Sequence, residues 1–140
     1  ATMNSSISFF LLLVLGGMAA GLRQYIYVNK YITLINENKT WEDALQYCRK
    51  HYISLAYPVF PNQPALIDLA TAQTQTVSVW MGLRFLDGIW FWVDVNQPEI
   101  PISMPSCPIQ NYRCGARNNK THVWENRDCN EKLNFLCFSG

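Results

Sequence analysis

The sequence predicts an α+β domain, with two helices flanking small antiparallel sheets and a long irregular loop in the second half. Three observations carry that prediction. Trp41, Ala44, Leu45 and Cys48 follow i, i+3, i+4, i+7 spacing and so share one face of a helix. From Val77 onward the chain reads as short, aromatic-rich strands, two of them joined at Asp87-Gly88, a strong hairpin signal. Four of the five cysteines (Cys48, Cys114, Cys129 and Cys137) look like a framework of two staples, and Cys107 is left over.

The chain has 140 residues, the size of one ordinary domain. Its net charge of +1, without any block of like charges, argues against a nucleic-acid surface. Residues 1–22 hold no charged side chain. An apolar run from Ile7 to Leu15 is followed by the small residues of Gly16-Gly17-Met18-Ala19-Ala20-Gly21. That pattern reads as a secretory signal peptide over 1–21, cleaved after Ala20 or Gly21, ahead of one domain over 22–140. The run is short for a span of ~20 residues, so no membrane span is expected in the mature chain; the alternative is a retained anchor. Secretion puts the cysteines in an oxidising compartment, where they read as disulfides. Asn38-Lys39-Thr40 and Asn119-Lys120-Thr121 are then glycosylation acceptors at Asn38 and Asn119.

In chain order, Tyr25 to Val28 and Tyr31 to Ile35 read as two strands around an Asn29-Lys30 turn. Thr40 is placed to cap the first helix, with Asp43 three positions on. Its face 41/44/45/48 points Cys48 into the core. Pro58, Pro61 and Pro64 break the next stretch. A second short helix is expected from about Pro64 to Ala72, capped by Asn62, with Leu66, Ile67 and Ala70 inward. Val77 to Phe85 and Ile89 to Val95 form the hairpin. Four prolines between Pro98 and Pro108 forbid regular structure, so about 96–112 is a long ordered loop of the kind that carries binding. Strands resume over Arg113–Arg117, Thr121–Glu125 and Leu133–Phe138.

This order resembles the C-type lectin-like domain. Trp80-Met81-Gly82-Leu83 is similar to that family's Trp-Ile-Gly-Leu core motif, and Trp90-Phe91-Trp92 to its Trp-x-Trp strand. The spacing of Cys114, Trp124, Cys129 and Cys137 matches as well. The resemblance implies an outer disulfide Cys48–Cys137 and an inner one Cys114–Cys129, although five cysteines by themselves permit several connectivities. It also implies a place for Ca²⁺, a hard cation that takes six to eight oxygens. The family supplies these from a Glu-Pro-Asn or Gln-Pro-Asp triplet nine residues before the third cysteine and from a Trp-Asn-Asp triplet. Counted back from Cys114, the first place holds Met104-Pro105-Ser106; the second holds Trp124-Glu125-Asn126, and Tyr112-Arg113 precedes the cysteine. No cofactor is therefore expected at the usual place. Gln97-Pro98-Glu99 imitates the first triplet but sits nine residues before Cys107, and it reads as a turn. The alternative is a calcium site from Gln97, Glu99, Glu125 and Asn126.

The resemblance implies a secreted, extracellular, glycosylated binding protein for a carbohydrate or protein ligand, and no enzyme. Tyr112, Arg113, Arg117, Glu125 and Asn126 are the candidate ligand contacts, since exposed Tyr and Arg suit glycan stacking or a protein hot spot. The bland reading has Tyr112 packed down and the arginines solvated. His51 suits the end of the first helix, and His122 is expected on a strand beside Trp124. Neither forms an argued nucleophile or zinc site with Cys107. Cys107 has three readings: an interchain bond in a homo-oligomer, a buried thiol, or exchange with Cys114 for Cys129. The first gives the alternative function, a self-assembling extracellular protein on the same fold.

Overall fold

The computed structural model describes residues 24–27, 30–58, 65–96 and 99–139. The expected leader 1–21, the Asn29 turn, the Asn62 cap, Pro61, Pro64 and Gln97-Pro98 lie outside the described residues. Strand β1 is Gln24–Tyr27 and β2 is Lys30–Lys39, antiparallel to each other with Tyr27 opposite Lys30. β2 runs past the expected Ile35. Its pairing with the last strand shifts register between Ile35 and Lys39, an irregularity with no sequence signal.

Helix α1 is Trp41–His51. Thr40 Oγ1 accepts the Asp43 N–H at 3.3 Å, satisfying an otherwise orphan donor of the first turn. Glu42 and Asp43 occupy that first turn and Arg49, Lys50 and His51 the last, as the helix dipole favours. Trp41, Ala44, Leu45 and Cys48 are buried. A two-residue strand, β3 (Ser54–Leu55), follows; it pairs with the last strand and is too short for sequence periodicity to reveal. Helix α2 is Ala65–Thr71 and buries Ile67, Ala70 and Thr71, while Leu66 is only half-buried.

Strand β4 is Ser78–Leu86 and β5 is Ile89–Trp92. They turn at Asp87 (φ 52°) and Gly88 (φ 84°), both left-handed, the two-residue turn that matches strand twist. β5 ends short of the expected Val95, because Asp94 is also left-handed (φ 64°) and its carboxylate is clasped by Arg49 at 2.8 and 3.0 Å. The last strands are β6 (Cys114–Asn118), β7 (Trp124–Arg127) and β8 (Leu133–Ser139). β7 begins three residues later than expected. The Asn118 side-chain oxygen accepts the N–H groups of Lys120 and Thr121, turning that segment away from a ladder. His122 accordingly sits in the turn with φ 56°, not on a strand.

The sheet order is β1-β2-β8-β4-β6-β7, with β3 on β8 and β5 on β4. β4 and β8 pair in parallel, Trp80 opposite Phe135; the other pairs are antiparallel. The core lies on both faces: α1, Trp80 and Phe135 on one, α2, Met81, Trp92 and Phe138 on the other. Disulfides Cys48–Cys137 and Cys114–Cys129 close loops of 89 and 15 residues, with Cα–Cα distances of 5.4 and 5.2 Å. Asn134 is fully buried yet satisfied: its Oδ1 accepts from Thr74 Oγ1 (2.8 Å) and the Gln75 N–H (3.0 Å), and its Nδ2 donates to Asn38 Oδ1 (2.8 Å).

Candidate functional site

Residues 99–113 hold no helix or strand, yet they are fixed at several points. Alternate side chains of β5 point to one face, so Trp90 and Trp92 both reach the loop. Trp92 Nε1 donates to the Glu99 carbonyl at 3.1 Å, and Trp90 Nε1 to the Pro105 carbonyl at 2.7 Å. The Cys129 N–H donates to the Asn111 carbonyl at 3.0 Å, and the Phe85 N–H to the Arg113 carbonyl at 2.9 Å. Met104 is buried beneath the loop, whereas Ile102 and Ile109 stand in solvent.

β7 divides the site into two faces. Trp124 and Asn126 face the loop and α2; Glu125 and Arg127 face the opposite side. On the loop side, Arg117 is 5% exposed and donates to both oxygens of Asp68, at 2.8 and 3.0 Å. Its guanidinium lies 4.7 Å from the Trp124 ring, and Trp92 meets that ring edge-on at 5.4 Å. His122 Nδ1 approaches Asp68 to 3.7 Å. Between Trp124 and the loop opens a cavity of about 350 Å³, lined by Pro58, Glu99, Ile100, Pro101, Ile102, Ser103 and Trp124.

On the far side, Arg127 is gripped by Glu131 through two bonds of 2.8 Å and by Glu125 at 2.7 Å. Those carboxylates hold the Arg127 guanidinium well above its ordinary pKa, Glu131 foremost. Glu125 also accepts from the Ser78 hydroxyl and from Asn118 Nδ2 at 3.4 Å.

The model of the family described as Lectin C-type domain matches residues 37–139. The chain belongs to this C-type lectin family. The curated relative C-type lectin lectoxin-Phi1 of Philodryas olfersii is 26% identical over 114 residues, covering 74% of this chain and 73% of its own length. Human lithostathine superposes with a TM-score of 0.69 at 21% identity, over 83% of this chain and 95% of its own. A Ca²⁺-dependent type II antifreeze protein in its Ca²⁺-free form gives 0.70 at 17%, over 84% and 97%. Likeness at these identities shows the shared fold.

Family membership raises the calcium question, and the residues at the usual place do not fit that ion. Met104, standing where the first carboxylate or amide oxygen belongs, buries a thioether. Glu125 spends its carboxylate on Arg127, Ser78 and Asn118, on the face away from the loop. Asn126 turns its Nδ2 to the Tyr112 carbonyl at 3.1 Å. Arg113 brings a cation beside this place, lying 5.4 Å from the Phe85 ring with Nε 3.4 Å from the Pro108 carbonyl. Of the set Gln97, Glu99, Glu125 and Asn126, the described Glu125 and Asn126 point to opposite faces of β7. Gln97 itself lies outside the described residues.

The structure keeps some candidate ligand contacts at the surface and withdraws others. Tyr112 is 42% exposed, against the reading that packs it down, and Arg113 is half-buried. Arg117 is no surface contact, because Asp68 and Trp124 hold it inside. Cys107 is a free, exposed thiol, which overturns the buried reading; Cys114 is bonded to Cys129, which overturns the exchange. Sequence reasoning missed Asp68, Ser103 and the Pro58 wall. Asp68 carries no motif, and its partner lies 49 positions away.

Proposed function

We propose that this chain is a secreted C-type lectin-like binding protein that recognises a carbohydrate or protein ligand through its long loop, without calcium at the usual place. The supporting observation is the fate of Glu125, whose carboxylate is saturated by Arg127, Ser78 and Asn118 on the face away from the loop. An antifreeze neighbour of the same fold is Ca²⁺-dependent, so metal use on this fold is set by the side chains at the site. Family membership supports recognition rather than catalysis. Two disulfides suit an oxidising compartment and hence secretion after removal of 1–21. Glycosylation at Asn38 and Asn119 belongs to the same reading. Asn38 is exposed, and its oxygen is the atom bonded to Asn134, leaving the nitrogen that carries a glycan unused by that bond.

The test is a glycan and extracellular-protein array probed with the secreted chain in Ca²⁺ and again in chelator. Equal binding in both supports the proposal. Binding abolished by chelator and restored by Ca²⁺ sinks it. Mass spectrometry of the secreted product checks cleavage after residue 20 or 21 and the two glycans.

A second reading is favoured by the exposed, free Cys107: the same fold as a covalently linked extracellular assembly. Non-reducing electrophoresis separates the two, since a clean monomer removes the assembly and a reducible dimer or ladder supports it.

A further inference from the structure

The cavity beside Trp124 combines three features. Its floor is an indole with a spare donor. Trp41, Trp80, Trp90 and Trp92 each give their indole N–H to a backbone carbonyl; among the described residues Trp124 makes no such bond. The Trp124 ring is already packed against the Arg117 guanidinium and, nearly perpendicular, against Trp92, so the indole is positioned before any ligand arrives. Four of the cavity's lining residues are apolar: Pro58, Ile100, Pro101 and the solvent-exposed Ile102. The third feature is charge. Glu99 is exposed, and its carboxylate has no hydrogen bond or ion pair among the described residues, while its backbone is pinned by Trp92. The neighbouring cation, Arg117, is neutralised by Asp68. The rim is therefore negative.

Resting on the calcium-free reading of the loop, we infer that this cavity receives a lysine or arginine side chain presented by a protein ligand. Its methylene stem lies on Ile100, Pro101 and Trp124, its cationic head meets Glu99, and a backbone carbonyl of the same ligand segment accepts the Trp124 indole N–H. Long cationic side chains bury their stems on apolar surface while the head stays polar, and an indole adds attraction for a cation. A volume of about 350 Å³ is at the small end of ligand pockets and suits one such side chain. A saccharide ring carries hydroxyls around its whole edge; here the lining residues with polar side-chain atoms are Glu99, Ser103 and Trp124, set among Pro58, Ile100, Pro101 and Ile102.

The experiment follows the indole N–H signals of the full ¹⁵N-labelled chain in chelator, with the Trp124 signal assigned through Trp124→Phe. The probes are Nα-acetyl-arginine methylamide, its uncharged analogue Nα-acetyl-norleucine methylamide, and the methyl glycosides of mannose, galactose and N-acetylglucosamine. The arginine probe is expected to move the Trp124 signal in a saturable way. Glu99→Gln, which keeps the backbone bond to Trp92, is expected to weaken that binding about fivefold without changing the melting temperature. Equal binding of the norleucine probe, or an unchanged affinity in Glu99→Gln, overturns the inference. Glycosides moving the signal where arginine does not also overturns it, while leaving calcium-free recognition intact. If no probe moves the Trp124 signal, the inference falls, and the array in chelator judges the broader reading separately.

Discussion

Arg117 on β6 donates through Nε and Nη2 to both carboxylate oxygens of Asp68 on α2, at 2.8 and 3.0 Å. The pair fastens helix to sheet, and because Arg117 also stacks on Trp124 it fixes the floor of the cavity. Both side chains are largely buried, 6% and 15% exposed, so removing one partner leaves a charge without compensation. Asp68→Asn is expected to cost about 3 kcal/mol in urea unfolding and to change Trp fluorescence. The double variant Asp68→Leu/Arg117→Met recovers most of that loss. A single variant as stable as the wild type shows the pair to be a spectator.

Gly115 is required by space. A Cβ there would lie 2.5 Å from Leu83 Cβ and 2.7 Å from its Cγ, inside a fully buried part of the core. Gly115→Ala is expected to lower stability by about 1–3 kcal/mol through overpacking. Gly88 meets nothing within 4 Å and is held only by its φ of +84°, so Gly88→Ala costs about 1 kcal/mol. Melting curves of the two variants test the order.

The two disulfides differ in loop length and in access. Chain-entropy estimates give roughly 3 kcal/mol for a 15-residue loop and approaching 5 kcal/mol for one near 100. The Cys48→Ser/Cys137→Ser pair is therefore expected to cost more stability than Cys114→Ser/Cys129→Ser. Of the four sulfurs' residues, Cys129 alone is incompletely buried, so mild thiol treatment followed by alkylation should label Cys129 before Cys48 or Cys137. Simultaneous labelling means the molecule opens globally.

Tyr47 on α1 has its phenol pKa raised above the ordinary 10.0, first by burial and then by the nearby Glu37 carboxylate. The folded chain thus keeps this phenol neutral longer than the unfolded chain does. Its contribution to stability is present below the unfolded value near 10 and is lost as pH rises through the folded one. Alkaline titration by ultraviolet absorbance should show a late component that is lost in Tyr47→Phe. No late component means the Tyr47 phenol is not shielded in the folded chain.

The parts of the fold that were legible are those written in neighbouring positions. The helical face 41/44/45/48, the Thr40 cap and the Asp87-Gly88 turn each rest on residues a few places apart, and each appears where expected. β3 and the late start of β7 were not legible. The first is two residues long, and the second follows from the Asn118 side chain competing for backbone donors.

The candidate site divides along the same line. The sequence by itself puts Met104-Pro105-Ser106 about nine residues before Cys114, and the resemblance to C-type lectins makes that the place where a calcium triplet is expected. Only the tertiary structure decides that Arg117 is an interior residue, that Glu125 and Asn126 face opposite sides of the sheet, and that Cys107 is exposed. The physical reason is that a strand states its alternation locally but not which face is which. That choice is made by distant neighbours: Asp68 and Trp124 draw Arg117 inward, while Ser78, Asn118 and Arg127 draw Glu125 away from the loop.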